Sequence, residues 1–358
     1  MNSPTITTLT PLIRNIVPPS EEWRMRARLH LDTLTKPLGS LGRLEDLAAQ
    51  MLAIRQEEFA APLGKAVYIF AADHGITAEG VSAYPREVTY QMVLNFLKKG
   101  AAINVLARLH GVQLHVVDVG VDGDLHGAEG LVHRKVCQGS RNMLYEAAMT
   151  EEQLTQTLNV GIELAAEASS AGQMLIAIGE MGIGNTTSAS AITCSLTGSP
   201  ASLATGRGTG VGTEAHAHKT RIVQAVVDKH FRGATPSGLD ILRCVGGLEI
   251  AAMTGMVLSA ARHKLIIVVD GFISAAAAAL AVAIEPNVQG YLVAGHRSEE
   301  PGHQILLDYL KLSPILTLSM RLGEGTGAVL AMPILESAIC LYTQMATFDS
   351  AGVSGASA

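Results

Sequence analysis

The chain has 358 residues, 48% of them hydrophobic and 16% charged, with a formal net charge of −6 from 26 basic and 32 acidic side chains. A chain of this length and apolarity buries a large core, in one big domain or in one with a smaller partner. Charges of both signs spread without blocks exclude the electrostatic footprint of a nucleic-acid binder or of a protein held on an anionic membrane.

Around Pro4, Pro11 and Arg14 no basic segment is followed by an apolar one, so no secretory signal is expected. Residues 19–56 then read as helical, with Leu31, Leu34, Leu38, Leu41, Leu44 and Leu47 at helical spacing, interrupted by Lys36-Pro37-Leu38-Gly39-Ser40-Leu41-Gly42-Arg43. From residue 62 the text changes to short apolar runs that each stop at a polar or glycine-rich turn. Residues 66–70 precede Asp73-His74-Gly75, 114–117 precede Asp118-Val119-Gly120, and 174–178 precede Gly179-Glu180. Residues 265–269 precede Asp270-Gly271, 291–294 precede Gly295-His296, and 315–318, the last of the series, precede Arg321-Leu322-Gly323-Glu324.

Apolar runs without alternation imply strands covered on both faces, and the helical text between them implies parallel crossovers. The expected fold is therefore α/β, a Rossmann-like open, mostly parallel sheet flanked by helices. The apolar run at 275–284 ends at Glu285-Pro286, short of the roughly 20 residues a membrane span needs, and reads as a buried helix. Residues 331–346 are helical again, and the small, polar tail at 350–358 is expected to fray. We expect an α/β domain over 62–330 and a smaller helical domain built from both termini, 1–61 plus 331–358. The four cysteines, at 137, 194, 244 and 340, include no C-x-x-C pair, which argues against a zinc knot or disulfide framework and suits a reducing cytoplasm.

In open α/β sheets ligands collect outside the carboxyl ends of the strands, where all these turns fall. Gly179-Glu180-Met181-Gly182-Ile183-Gly184-Asn185-Thr186-Thr187-Ser188 follows an expected strand and opens an expected helix, an arrangement whose free N–H groups attract phosphate. It has neither the Lys of a Walker loop nor the third glycine of a dinucleotide fingerprint. Gly206-Arg207-Gly208-Thr209-Gly210, with Lys219 beyond it, offers further donors and a cation to the same phosphate, or is simply a solvated loop. Asp270 suits either acceptance of ribose hydroxyls or a helix cap, and Gly271 replaces the second acid that a magnesium-pyrophosphate donor would call for. The histidines at 74, 216, 218, 296 and 303 match no metal-ligand spacing, so no metal and no cofactor is expected. Glu324, set between Gly323 and Gly325, has little side-chain bulk beside it, so a flat substrate can approach it closely.

Seven strings together resemble one family: Lys36-Pro37-Leu38-Gly39-Ser40-Leu41-Gly42, Ala72-Asp73-His74-Gly75, Val81-Ser82-Ala83-Tyr84-Pro85 through Gln91, Gly179 to Thr187, Val269-Asp270-Gly271-Phe272, Gly295-His296-Arg297-Ser298 and Leu322 to Gly327. Their order and spacing are similar to those of the nicotinate-nucleotide:dimethylbenzimidazole phosphoribosyltransferases, from about residue 32 to 350. The resemblance implies transfer of the 5-phosphoribosyl group of nicotinate mononucleotide to 5,6-dimethylbenzimidazole, giving α-ribazole 5′-phosphate and nicotinate, for the lower ligand of cobalamin. It also implies a cytoplasmic homodimer with sites near the subunit interface.

Carried over motif by motif, Glu324 is the general base. Glu180, Gly182, Gly184, Asn185, Gly208, Lys219, Asp270, Gly271, Ser298 and Gly323 line the ribose phosphate, and Ser82, Tyr84 and Gln91 meet the benzimidazole. One departure is Ala147, where the string beginning at Gly139-Ser140-Arg141-Asn142-Met143 leads one to expect proline. Two other readings stay open on the residues alone. A doubly wound oxidoreductase is disfavoured by the missing third glycine, and a non-catalytic binder of benzimidazoles or nucleotides is allowed because fold alone does not fix function.

Overall fold

A computed structural model describes residues 16–354 apart from 209 and 211. The readings made on the first fifteen residues, on Thr209 and on the last four residues of the tail lie outside the described residues. Six strands form one sheet, β1 (Lys65–Ala72), β2 (Gln113–Gly120), β3 (Leu131–His133), β4 (Leu175–Met181), β5 (Ile266–Val269) and β6 (Leu292–Ala294), in the order β3-β2-β1-β4-β5-β6 with every neighbour parallel. This is the Rossmann order, whose direction of growth reverses between β1 and β4.

All positions of β1 and β5 are buried. Successive side chains point to opposite faces, so both faces of the sheet are covered, which is why these runs show no polar alternation. The Leu248–Arg262 helix packs on β1, β2, β4 and β5 and is itself covered by the Glu151–Ser170 helix. That covering helix starts at a capping box in which Thr150 and Gln153 satisfy each other's backbone N–H groups.

The structure differs from the sequence reading at two strands. The run at 315–318 contributes Leu316–Thr317 (β8), which pairs with His296–Arg297 (β7) in a separate two-stranded parallel sheet. Its N–H groups reach past the end of β6, from Ile315 to the Ala294 carbonyl and from Leu316 to that of Gly295. β3, the edge strand beyond β2, was not anticipated, because three residues carry no readable period.

The helical ends of the chain meet. The Glu21–Thr33 and Arg43–Arg55 helices pack together, and the second rests on the Thr326–Gln344 helix. His30 Nε2 lies 2.9 Å from the Tyr342 carbonyl oxygen, and Leu34 forms an isolated bridge with Thr347. The Lys36 to Gly42 string serves as the link between the Glu21–Thr33 and Arg43–Arg55 helices, where Lys36 pairs with Glu45 at 2.9 Å with both side chains buried. The Thr326–Gln344 helix begins five residues before the expected 331, directly after the Glu324 loop. By length and composition it is apolar enough to cross a bilayer, but its apolar face packs on β4, β5 and the Arg43–Arg55 helix.

Candidate functional site

At the carboxyl ends of β4, β5 and β6 lies a cavity of about 400 Å³. Glu180, Gly182 and Asn185 come to its wall from the end of β4 and the helix that follows, Gly271 from the end of β5, Ser298 from just beyond β7, and Gly323 and Glu324 from the last loop; Tyr84 and Gly208 complete it among the expected residues. A larger opening of about 830 Å³ lies against β2 and the Val88–Leu97 and Ala102–Leu109 helices, and none of the motif carboxylates borders it. Chemistry, not size, therefore selects the site.

Glu324 sits in a backbone that few residues tolerate. Gly323, Glu324 and Gly325 have φ of 82°, 63° and 84°, so a glutamate occupies the left-handed region between two glycines. The loop lies against β4 so closely that a Cβ on Gly179 would stand 2.7 Å from the Glu324 carbonyl carbon. Glu324 is 5% exposed, and its Oε2 is buried without a hydrogen-bond partner. Burial, opposed by a backbone N–H from Ile103 and reinforced by the negative charge of Asp270, pushes its carboxyl up to about 7. A carboxylate that takes a proton near neutrality and keeps an oxygen free is suited to general-base work.

Asp270 does not border the cavity. Its Oδ2 accepts from the Gly325 N–H and its Oδ1 from the Ala328 N–H, each at 3.0 Å, and His296 Nδ1 lies 3.5 Å from Oδ1. Of the two roles open to it in the sequence, it takes the cap, and the helix it caps is Thr326–Gln344 rather than the one following β5. It thereby fixes the loop that carries Glu324. Glu180 accepts a hydrogen bond from the Asn185 side chain, and burial, with Glu249, Asp270 and Glu324 nearby, pushes its carboxyl up to about 8. The missing Cβ of Gly323 leaves room for it, since a Cβ there would stand 2.3 Å from Glu180 Oε1.

The histidines are engaged by the protein. His74 Nε2 lies 2.6 Å from Glu249 Oε1 and its Nδ1 3.2 Å from Ser188 Oγ, a buried chain tying the end of β1 to two helices. His303 accepts the Ser298 N–H at its Nδ1, and burial holds its ring down to about 3. His216 and His218 reach the carbonyls of Thr205 and Glu79.

Beside Glu180, the Asn185–Thr197 helix opens at Gly184, φ 96°, with no side chain capping its first turn. Gly184 itself stands behind the wall. So does Lys219, 1% exposed, whose Nζ donates to Thr186 Oγ1 at 2.7 Å. Burial pulls this ammonium down to about 8 against the opposing charge of Glu300. Thr186 and Gly208 thus separate it from the cavity by a single layer. The Asn185 and Thr187 N–H groups donate to the Gly182 and Gly184 carbonyls, but a helix start with no capping side chain, backed by a cation, still makes this the part of the cavity suited to an anionic group.

Comparison with known proteins places this geometry. A phosphoribosyltransferase family model matches residues 16–353. A Geobacter sulfurreducens protein named nicotinate-nucleotide–dimethylbenzimidazole phosphoribosyltransferase is 49% identical over 348 residues, 97% of this chain and 99% of that protein. One of the same name from Chloroflexus aggregans is 48% identical over 346 residues, covering 97% and 98%. The chain belongs to the nicotinate-nucleotide:dimethylbenzimidazole phosphoribosyltransferase family. A crystal structure of the Thermus thermophilus enzyme of that name superposes with a TM-score of 0.88 at 44% identity, covering 94% of this chain and all of the other.

Within this family member, the three residues expected around the benzimidazole are not placed alike. Tyr84 borders the cavity, together with Val88 and Met92 of the Val88–Leu97 helix. Ser82 stands behind it, where its Oγ accepts the Tyr84 N–H at 3.2 Å, and lines an adjoining hollow that Tyr84 shares. Gln91 is exposed on the same helix as Val88 and Met92, outside the wall. The wall also contains residues the sequence reading did not single out, among them Thr186, Phe272, Glu300, Arg321 and Leu322. Glu300 had a signal, an acid two residues after Ser298 in a recognised string, but that segment was read only for its histidines, which match no metal-ligand spacing, and the acid was given no role. Phe272 and Val88 lay within recognised strings and Met92 just beyond one, but none was given a role, since an apolar wall residue and a core residue read alike in a single sequence.

Proposed function

We propose that the protein transfers the 5-phosphoribosyl group of nicotinate mononucleotide to 5,6-dimethylbenzimidazole, releasing nicotinate and forming α-ribazole 5′-phosphate for the lower ligand of cobalamin. The observation that carries this reading is Glu324, a buried carboxylate with an unpartnered oxygen in the wall of a cavity that the start of the Asn185–Thr197 helix also reaches. A ring nitrogen of the benzimidazole attacks C1′ of the ribose from the face opposite nicotinate. The bond from C1′ to the pyridinium nitrogen breaks, and its electron pair neutralises that ring, so the leaving group needs no proton. Bond formation makes the other ring N–H acidic, and Glu324 takes that proton. Attack from the opposite face converts a β-nucleotide into an α-nucleotide, and holding both partners in line supplies much of the acceleration.

In this reading the phosphate lies at the uncapped start of the Asn185–Thr197 helix, with Gly182, Gly208 and Ser298 around it and Lys219 behind. The flat base lies between Tyr84, Val88 and Met92 on one side and the Glu324 loop on the other. Asp270 contributes by fixing Glu324. The described residues of the terminal segments, 16–61 and 331–354, form a small helical domain beside the 62–330 domain, and the enzyme works in the cytoplasm as a two-fold dimer, the commonest closed arrangement. Incubation with both substrates, followed by separation of products, tests the reaction. We expect nicotinate and α-ribazole 5′-phosphate in equal amounts over many turnovers per chain. Binding without product, or nicotinamide-linked absorbance change with an alcohol instead, overturns it. Light scattering that gives a monomer mass overturns the dimer.

A further inference from the structure

One carboxylate in the cavity wall has no part in the reaction just described. Glu300 borders the cavity beside Ser298 and Gly208, is 8% exposed, and has its Oε2 buried with no hydrogen-bond partner. It is held from both sides. Its backbone N–H donates to Ser298 Oγ at 3.4 Å, and its carboxylate lies on Gly206 so closely that a Cβ there would stand 1.9 Å from Oε2. Lys219, the nearby buried cation, has its Nζ directed to Thr186 Oγ1 and the Gly206 carbonyl, and none of the ion pairs among the described residues includes Glu300. Leaving a buried carboxylate oxygen without a donor costs more than an ordinary hydrogen bond contributes, so such a group is retained where something else supplies the donor.

The other carboxylates at this end of the sheet are engaged. Asp270 accepts two backbone N–H groups, Glu180 accepts from Asn185, and Glu324 faces the base. The donors on the substrates are few. A phosphate and a nicotinate carboxylate offer acceptors and negative charge, and the benzimidazole N–H goes to Glu324. What remains is the ribose 2′,3′-diol, whose two hydroxyls are donors. We propose that Glu300 is a specificity-determining residue that accepts hydrogen bonds from this diol and so selects ribonucleotides over deoxyribonucleotides. The inference rests on the ribose-phosphate reading of the cavity, but not on the transfer step.

Calorimetric titration of the full-length protein with ribose 5-phosphate, 2-deoxyribose 5-phosphate and 3-deoxyribose 5-phosphate tests it without requiring turnover. The expected result is that the wild type binds the ribose ester about 10- to 100-fold more tightly than at least one deoxy ester, the worth of a hydrogen bond to a charged group. Glu300→Ala should bring that ratio to within about threefold, while Glu300→Gln, which keeps one acceptor oxygen, retains part of it. Equal binding of all three esters by the wild type overturns the proposal. So does a ratio that survives in Glu300→Ala while all affinities fall together, which would make Glu300 a counter-charge for Lys219 only. Should Glu300→Ala fail to fold, an unchanged ratio in Glu300→Gln counts against it in the same way. The separate product assay with nicotinate mononucleotide reports on the transfer reaction itself, so loss of one reading is distinguishable from loss of the other.

Discussion

Two regions of this molecule bring backbone against backbone, and they do so for opposite ends. Where the Glu151–Ser170 helix crosses Leu248–Arg262, a Cβ on Gly161 would stand 1.8 Å from the Ala252 carbonyl oxygen, and one on Gly255 would stand 2.1 Å from that of Leu158. The contact is reciprocal and largely apolar, and its polar member, Ser259, donates to the Ile162 carbonyl. Where the Glu324 loop meets β4 the approach is less tight, 2.7 Å from a Cβ on Gly179 to the Glu324 carbonyl carbon, but Glu180, Asp270 and Glu324 are buried beside it and one Glu324 oxygen is unpaired. In the first region two helix-interior glycines, each costing about 1 kcal/mol in helix propensity, are offset by the close apolar packing they permit. In the second, a strained glutamate and crowded carboxylates are held in place by their surroundings, the pattern of a site whose stability has been traded for reactivity.

The largest expected effect belongs to the second region. Glu324→Gln should leave the fold and nucleotide binding intact and lower turnover about 10²- to 10⁴-fold, the range for a positioned general base. Near-normal turnover would remove Glu324 from the mechanism. The helix crossing should answer in stability alone. Gly161→Leu forces the two helices apart and should cost about 1–3 kcal/mol or more in denaturant unfolding, with the turnover of the remaining folded protein near normal. A midpoint equal to the wild type would show that the crossing has slack.

A smaller effect concerns pH. With Glu324 pushed up to about 7, kcat/KM should rise with pH through an acid limb near that value, reporting Glu324 together with Glu180 as a coupled pair. Asp270→Asn removes a neighbouring negative charge and should move the limb to lower pH; a limb that stays fixed would mean that burial alone sets it. The smallest effect is on thermal stability. A carboxyl whose folded value exceeds its unfolded one binds its proton more tightly in the native state. It therefore favours the fold at low pH, and this advantage is lost as pH rises from the ordinary carboxylate range through about 7. Glu324→Gln should accordingly gain in Tm relative to wild type between pH 5 and pH 8. A difference that shrinks over that range would contradict the assignment.

Much of the fold was legible because a strand buried on both faces leaves a run with no alternation. β1, β2, β4, β5 and β6 announced themselves in this way, each before a polar turn. β3 and β7, of three and two residues, are fixed by neighbours distant in sequence and leave no local trace. The start of the Thr326–Gln344 helix was placed too late because its cap is Asp270, 55 residues before the Gly325 amide whose hydrogen bond it accepts. Glu324 was legible, since an acid between glycines is unusual in itself. The split between Lys219, which stands one layer back, and Glu300, which borders the cavity, was not, because sequence reports the presence of a charge but not which side of a loop it occupies.

The Thr326–Gln344 helix is mounted at one end on the Asp270 clamp and gripped near the other by His30 through the Tyr342 carbonyl. It therefore joins the loop that carries Glu324 at its start to the Glu21–Thr33 helix near its end, with Pro333 in between. A neighbouring molecule that shifted the Glu21–Thr33 helix would thus bear on the same element that holds the Glu324 loop in place.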